Sequence, residues 1–130
     1  AGHYGGDQHS RDGYYHQSTV WGWLIRPFVS ADVRVYGSTA KVRDQAAGFI
    51  APFQAHLYEV GLGHISEIFD GDAPHTPRGC CAQAFSVGEV LRCYAEDILG
   101  ERPVLMGRRT AVVASGGCLI RFLSHIGEAV

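Results

Sequence analysis

At 130 residues, with 46% hydrophobic and 18% charged side chains, the chain has the size and composition of one globular domain, which argues against intrinsic disorder. A formal net charge of −2 offers no attraction to nucleic acid or an anionic membrane surface, so neither is expected as a partner. No apolar run approaches the ~20 residues of a membrane span.

The opening "AGHYGGDQHSRDG" lacks a signal-peptide core. Four cysteines, two of them adjacent at Cys80 and Cys81, form no spaced disulfide framework, so reduced thiols in a cytoplasmic protein are expected. Residues 1–18 are polar and Gly-rich without periodicity and read as an irregular lead-in. From Thr19 the pattern turns helical: Trp21, Leu24, Ile25, Phe28 and Val35 fall near one face, predicting a helix over 19–36 that Pro27 kinks or divides. Ser38 is placed to cap a second helix over 39–60. Its stripe runs through Val42, Ala46, Phe49, Ile50, Phe53, Leu57 and Val60, with a bend expected at Pro52. Gly61 and Gly63 supply a stop.

Residues 61–79 read as a long loop, and Gln83 to Leu99 as a third helix within 82–99, carrying Val87, Val90, Leu91, Tyr94 and Ile98 inward. Ser86 and Glu89 have capping-box spacing, but the apolar run starts before Ser86, so the match is accidental. Past residue 103 the composition is mixed, and a strand has support only in "TAVVAS". The expected class is all-α, made of helical hairpins, with residues 11–18 and 61–79 at the same end.

Two stretches carry chemistry. The 61–79 loop holds His64, Glu67, Asp70, Asp72, His75 and Arg78, and loops of this length inside a compact domain are functional more often than connecting. Turn formation and ordinary ion pairing would also account for several of these residues. Their spacing fits neither a zinc-finger pattern nor a helical His-Glu-x-x-His, so no metal is expected, and Cys80 and Cys81 lack a protease context. The other stretch, "RDGYYHQSTVWGWLIRPF", sets Tyr15, His16 and Gln17 beside Trp21 and Trp23. Indole faces stack on sugar rings while imidazole and amide groups take directed hydrogen bonds. Two tryptophans two residues apart on a helix cannot share a face, so one should border a loop or cleft. Carboxylates beside stacking aromatics suit glycoside chemistry.

These stretches resemble a known family. "YHQSTVWGWLIRPFV" is similar to "YHQGTVWPWLIGPF" of the glycogen debranching enzyme family, the amylo-α-1,6-glucosidase type. "GLGHISEIFDGDAPHTPRGCCAQAFSVGEVLR" resembles that family's closing segment, with the shared frame "SEIFDGD-PH-PRGC-AQAWSVAEVLR". "GGDQHSRDGYYHQ" resembles the lead-in to the first motif. The likeness covers roughly residues 4 to 99.

The resemblance implies an (α/α)6 toroid whose loops at one end hold the sugar, and hydrolysis of α-1,6-glucosidic branch points of glycogen-like glucans with inversion. Inversion needs two carboxyls roughly 6.5 to 9.5 Å apart. The family's general base matches Glu67; its general acid, an Asp from an earlier segment, has no counterpart here. Tyr15, His16, Gln17 and Trp21 would line the glucosyl site, with Asp70, His75 and Arg78 shaping the loop. His64, His75 and Arg78 are expected to favour the charged form of Glu67. No cofactor is implied; the partner would be an α-glucan such as glycogen or limit dextrin.

On this reading residues 1–103 are the C-terminal part of a glucosidase barrel, inactive as an isolated chain, and 104–130 an unassigned tail. Barrel faces left open would promote self-association. The alternative is a non-catalytic glucan-binding or helical interaction module. Departures from the family are Ser18 for Gly, at a turn where positive φ would be needed; Gly22 and Arg26 for Pro and Gly; and Phe85 for Trp.

Overall fold

The structure is a computed structural model describing residues 2–60 and 62–101. The chain is mostly helical, with a small sheet. Helix α1 (Gln8–Tyr14) lies inside the segment expected to be irregular. Its start is set by Asp7, whose side chain accepts from the Ser10 N–H at 2.9 Å and satisfies one of the free donors of the first turn.

Thr19–Trp21 is a strand, β1, and not the first turn of a helix. A 3-10 turn, Gly22–Leu24, follows, and helix α2 runs from Ile25 to Tyr36. Pro27 thus falls in the first turn of α2, where its missing N–H has no intrahelical partner to lose, so it neither kinks nor divides the helix. Gly22 is buried, and a Cβ there would meet Ser86 Oγ at 3.3 Å and Ile65 and Phe53 at 3.5 Å. A residue without a side chain lets this turn lie close to the later helix.

Gly37, with φ 84°, ends α2. The second helical region is capped by Thr39, which accepts from the Val42 N–H at 3.3 Å, rather than by Ser38. The region divides at Ala51 into α3 (Ala40–Ile50) and α4 (Pro52–Glu59), as Pro52 begins a new helix at its first position.

The expected 61–79 loop contains two further strands, β2 (Ile68–Asp70) and β3 (Pro77–Arg78). Among the described residues they form an antiparallel sheet of order β1-β2-β3, with Thr19 opposite Asp70, Val20 opposite Phe69 and Trp21 opposite Ile68. The reading that strand support lay only in 110–115 is corrected for the described chain; 110–115 itself lies outside it. The sheet brings the two chemistry-bearing stretches side by side, through strand pairing that the all-helical reading did not contain.

Helix α5 (Ala84–Arg92) continues into a π-helical turn, Cys93–Ile98. Gln83 caps α5 by backbone geometry only, and Ser86 lies buried inside the helix, so Ser86 and Glu89 form no capping box. Val29, Ala46, Ile50, Leu57, Ile65, Val90, Cys93 and Tyr94 form the core, where α2, α3, α5 and the π-turn meet. Phe49 and Phe53 pack against it half-buried. Beside the core Arg26 pairs with Glu96 at 3.0 Å and Glu89 at 3.6 Å, while Ser30 Oγ donates to Asp97 at 2.6 Å. Among the described residues no helix is long and apolar enough to cross a membrane.

Candidate active site

Glu67 precedes β2. Its N–H donates to the Cys80 carbonyl at 2.8 Å, and its carboxylate returns the contact, Oε2 accepting from the Cys80 N–H at 3.1 Å. Oε1 accepts from Gln83 Nε2 at 3.2 Å and from the Tyr15 hydroxyl. Gly79 flanks the carboxylate with φ 68°, and a Cβ there would lie 2.6 Å from Oε2, so conformation and space both demand glycine. The Tyr15 phenol is pushed up to about 12, chiefly by its hydrogen bond to Glu67 and then by burial.

Tyr15 joins this carboxylate to the aromatic segment. Its ring meets His16 edge-on at 4.8 Å and Trp21 edge-on at 4.9 Å, and His16 stacks on Trp21 at 5.3 Å with the planes 3° apart. Trp21 Nε1 and Thr19 Oγ1 both donate to the Tyr15 carbonyl, fixing the turn between α1 and β1. Ser18 in this turn does not take positive φ; among described non-glycine residues only Leu62 and His75 do. Gln17 is exposed beside the cluster.

Asp70 stands at the far end of β2, 1% exposed. It accepts from the Tyr4 N–H at 2.8 Å and from Arg78 Nε and Nη2 at 3.2 and 3.1 Å, and it pairs with His3 at 3.0 Å. Burial opposes its ionisation, but the Arg78 and Tyr4 hydrogen bonds and the Arg78 and His3 charges outweigh burial and hold its carboxyl below the usual range. His75 Nδ1 contacts the Asp70 carbonyl at 3.0 Å.

The sequence-predicted residues therefore form two groups: Tyr15, His16, Trp21 and Glu67, and Asp70, His75 and Arg78. The cations expected beside Glu67 are elsewhere. Arg78 and His75 are engaged with Asp70, His64 is exposed, and among the described residues the donors to Glu67 are neutral. Gln83, the Cys80 N–H and Tyr4 were missed by sequence reasoning, because main-chain donors and a lone amide carry no compositional signal. Phe85 is 70% exposed and packs into no cleft of the described chain.

An apolar groove of about 740 Å³ borders the sheet, with Val20, Trp21, Phe28, Phe53, Phe69 and His75 among its lining residues and Glu67 outside it. Cys80 and Cys81 are exposed free thiols, and Cys93 is buried, its thiol pushed up to about 12 by burial and then by the Asp97 charge. Among the described residues no group of three or more His, Cys, Asp or Glu could hold a metal ion.

Neither the curated proteins nor the solved structures compared with this sequence include a match. The family model for amylo-alpha-1,6-glucosidase, however, matches residues 1–92, the span that carries both motifs and the whole Glu67 cluster, and the chain belongs to that family.

Proposed function

We propose that this chain is the C-terminal part of an amylo-α-1,6-glucosidase domain in which Glu67 is the general base for inverting hydrolysis of α-1,6-linked glucosyl branches. One observation carries the reading: the Tyr15 hydroxyl bonds to Glu67 while the Tyr15 ring abuts His16 and Trp21. A carboxylate able to accept a proton from water thus stands beside a stacking surface for a sugar. Three donors, the Tyr15 hydroxyl, the Cys80 N–H and the Gln83 amide, hold that carboxylate in a fixed position, as a base acting on a bound water requires. A glucosyl ring would lie against Trp21, with its hydroxyls met by Tyr15, His16 and Gln17.

Asp70, His75 and Arg78 serve this site by holding the loop, since their polar atoms are already engaged with one another. The substrate would be a glycogen-like α-glucan or limit dextrin, without cofactor or metal. We assign the helical region to an (α/α)6 toroid, residues 1–103 to the barrel and 104–130 to a separate tail, in a cytoplasmic protein. Free thiols support the last assignment.

The isolated chain is proposed to be inactive or nearly so. Inverting hydrolysis also needs a general acid, typically worth about 10²- to 10⁴-fold, and the family's acid-bearing segment has no counterpart in these residues. The test is glucose release from branched limit dextrin by the purified chain, together with α-glucan binding. Release near background and binding weakened by Trp21→Ala are expected. Robust release abolished by Glu67→Gln would overturn the inactivity and keep the base; release indifferent to Glu67→Gln would remove Glu67 from its role. Absence of glucan binding would favour a helical interaction module.

A further inference from the structure

The hydrogen bonds on Glu67 are distributed unevenly. Oε1 accepts two, from Tyr15 and Gln83, whereas Oε2 accepts one among the described residues, from the Cys80 N–H. A carboxylate has about four acceptor sites, roughly two on each oxygen. Oε1 is therefore filled and Oε2 keeps a site. The neighbour of Oε2 is Gly79, where a Cβ would intrude to 2.6 Å; any side chain at this position would crowd that oxygen.

Gln83 is tied twice to the segment that carries Glu67. Its N–H donates to the Ile65 carbonyl at 3.0 Å and its side-chain amide donates to Glu67 at 3.2 Å. It stands at the start of α5 but does not use its side chain as a helix cap. A residue in that position is free to spend its amide on a neighbour, and here the neighbour is the carboxylate.

We infer that Gln83 is a positioning residue for Glu67: with Tyr15 it commits Oε1 and leaves Oε2 as the oxygen that takes the proton from the attacking water. The inference rests on the reading of Glu67 as base. In that step a water O–H bond breaks, its proton passes to Oε2, and its electron pair forms the bond to the anomeric carbon. The glucosidic C–O bond breaks with its pair on the departing oxygen, which takes a proton from the general acid.

Gln83→Met keeps the side-chain length and removes the donor. On the purified 130-residue chain two ligands separate the roles. Glucose is neutral and reads the stacking surface. A glucose-configured iminosugar, whose protonated ring nitrogen seeks a placed carboxylate, reads Glu67. The variant should bind the iminosugar about tenfold more weakly and glucose within about twofold of wild type. The Tyr15 phenol, followed by NMR of its ring carbon, should change its titration midpoint as Oε1 loses a donor. Equal weakening of both ligands would show Gln83 supporting the sugar or the fold, and would overturn the inference. So would an unchanged iminosugar affinity with an unmoved Tyr15 midpoint. If the wild-type chain binds neither ligand, the glucosyl-site reading fails, and Tyr15 alone decides Gln83: a moved midpoint upholds its role and an unmoved one overturns it.

Discussion

Asp70 is a charge taken out of water, and such a group is retained in a fold only when its partners replace what hydration supplied. Its partners here are Arg78, one third exposed, His3, largely exposed, and the Tyr4 N–H. The Asp70→Asn variant should lose about 1–3 kcal/mol near neutral pH, the range for a charged hydrogen bond discounted for the exposure of Arg78 and His3. The sign follows from its depressed carboxyl: the stabilisation is present in full above the unfolded carboxylate range and disappears as pH falls through the lower folded value. Urea midpoints across that range should converge for wild type and variant at the acid end; curves that stay parallel would refute the pairing as the source. At this scale the sequence was partly legible. Glu67 could be marked because a long motif surrounds it. Its supporting donors could not, since one is a main-chain N–H and another an amide sixteen positions downstream.

Secondary-structure elements follow the same division. Helices α3 and α5 were legible because their apolar stripes extend over several turns, and Pro52 marked the break between α3 and α4. Strand β1 was not, because three residues are too few for a period-2 signal, and Trp21, Leu24 and Ile25 imitate helical spacing. Its partner β2 lies far along the chain, and pairing at that separation leaves no local trace. Where α4 leads toward β2 the connection is locked by His56, 6% exposed, whose Nε2 accepts from the Ser66 N–H at 3.1 Å. The ring must be neutral to accept, so its proton sits on Nδ1. Burial lowers its pKa from the ordinary 6.5, with the Glu59 charge opposing. The unfolded chain therefore binds a proton that the folded chain resists as pH falls below about 6.5, and stability should decline there until the lower folded value is passed. His56→Gln keeps an acceptor without titrating; its stability should vary less between pH ~7.5 and ~5.5 than that of wild type. Equal slopes in the two proteins would assign the acid loss to other groups.

At the scale of the whole molecule, a buried core coexists with a large apolar surface. Val29, Ala46 and Ile50 are fully buried, but Phe28 is 53% exposed, Leu24 46% and Val35 73%. The stripes that made the helices legible said which side chains are apolar; they did not say whether anything covers them. Ile50→Ala should cost about 2–5 kcal/mol as an uncollapsed cavity in the core, whereas Phe53→Ala, with one side open to the groove, should cost less than Ile50→Ala. Phe28 packs edge-on to Phe49 at 5.1 Å on one side and meets solvent on the other. Contiguous apolar faces of this kind favour association, because burying them against a second copy removes area worth ~25 cal/mol per Å². The chain should therefore gain mass with concentration in sedimentation velocity. Phe28→Glu should shift that equilibrium toward monomer with little loss of stability, since half of the ring is already in water. A wild-type chain that stays monomeric over the whole accessible concentration range would show that the exposed faces tolerate water unaided, and Phe28→Glu would then change nothing that sedimentation can read.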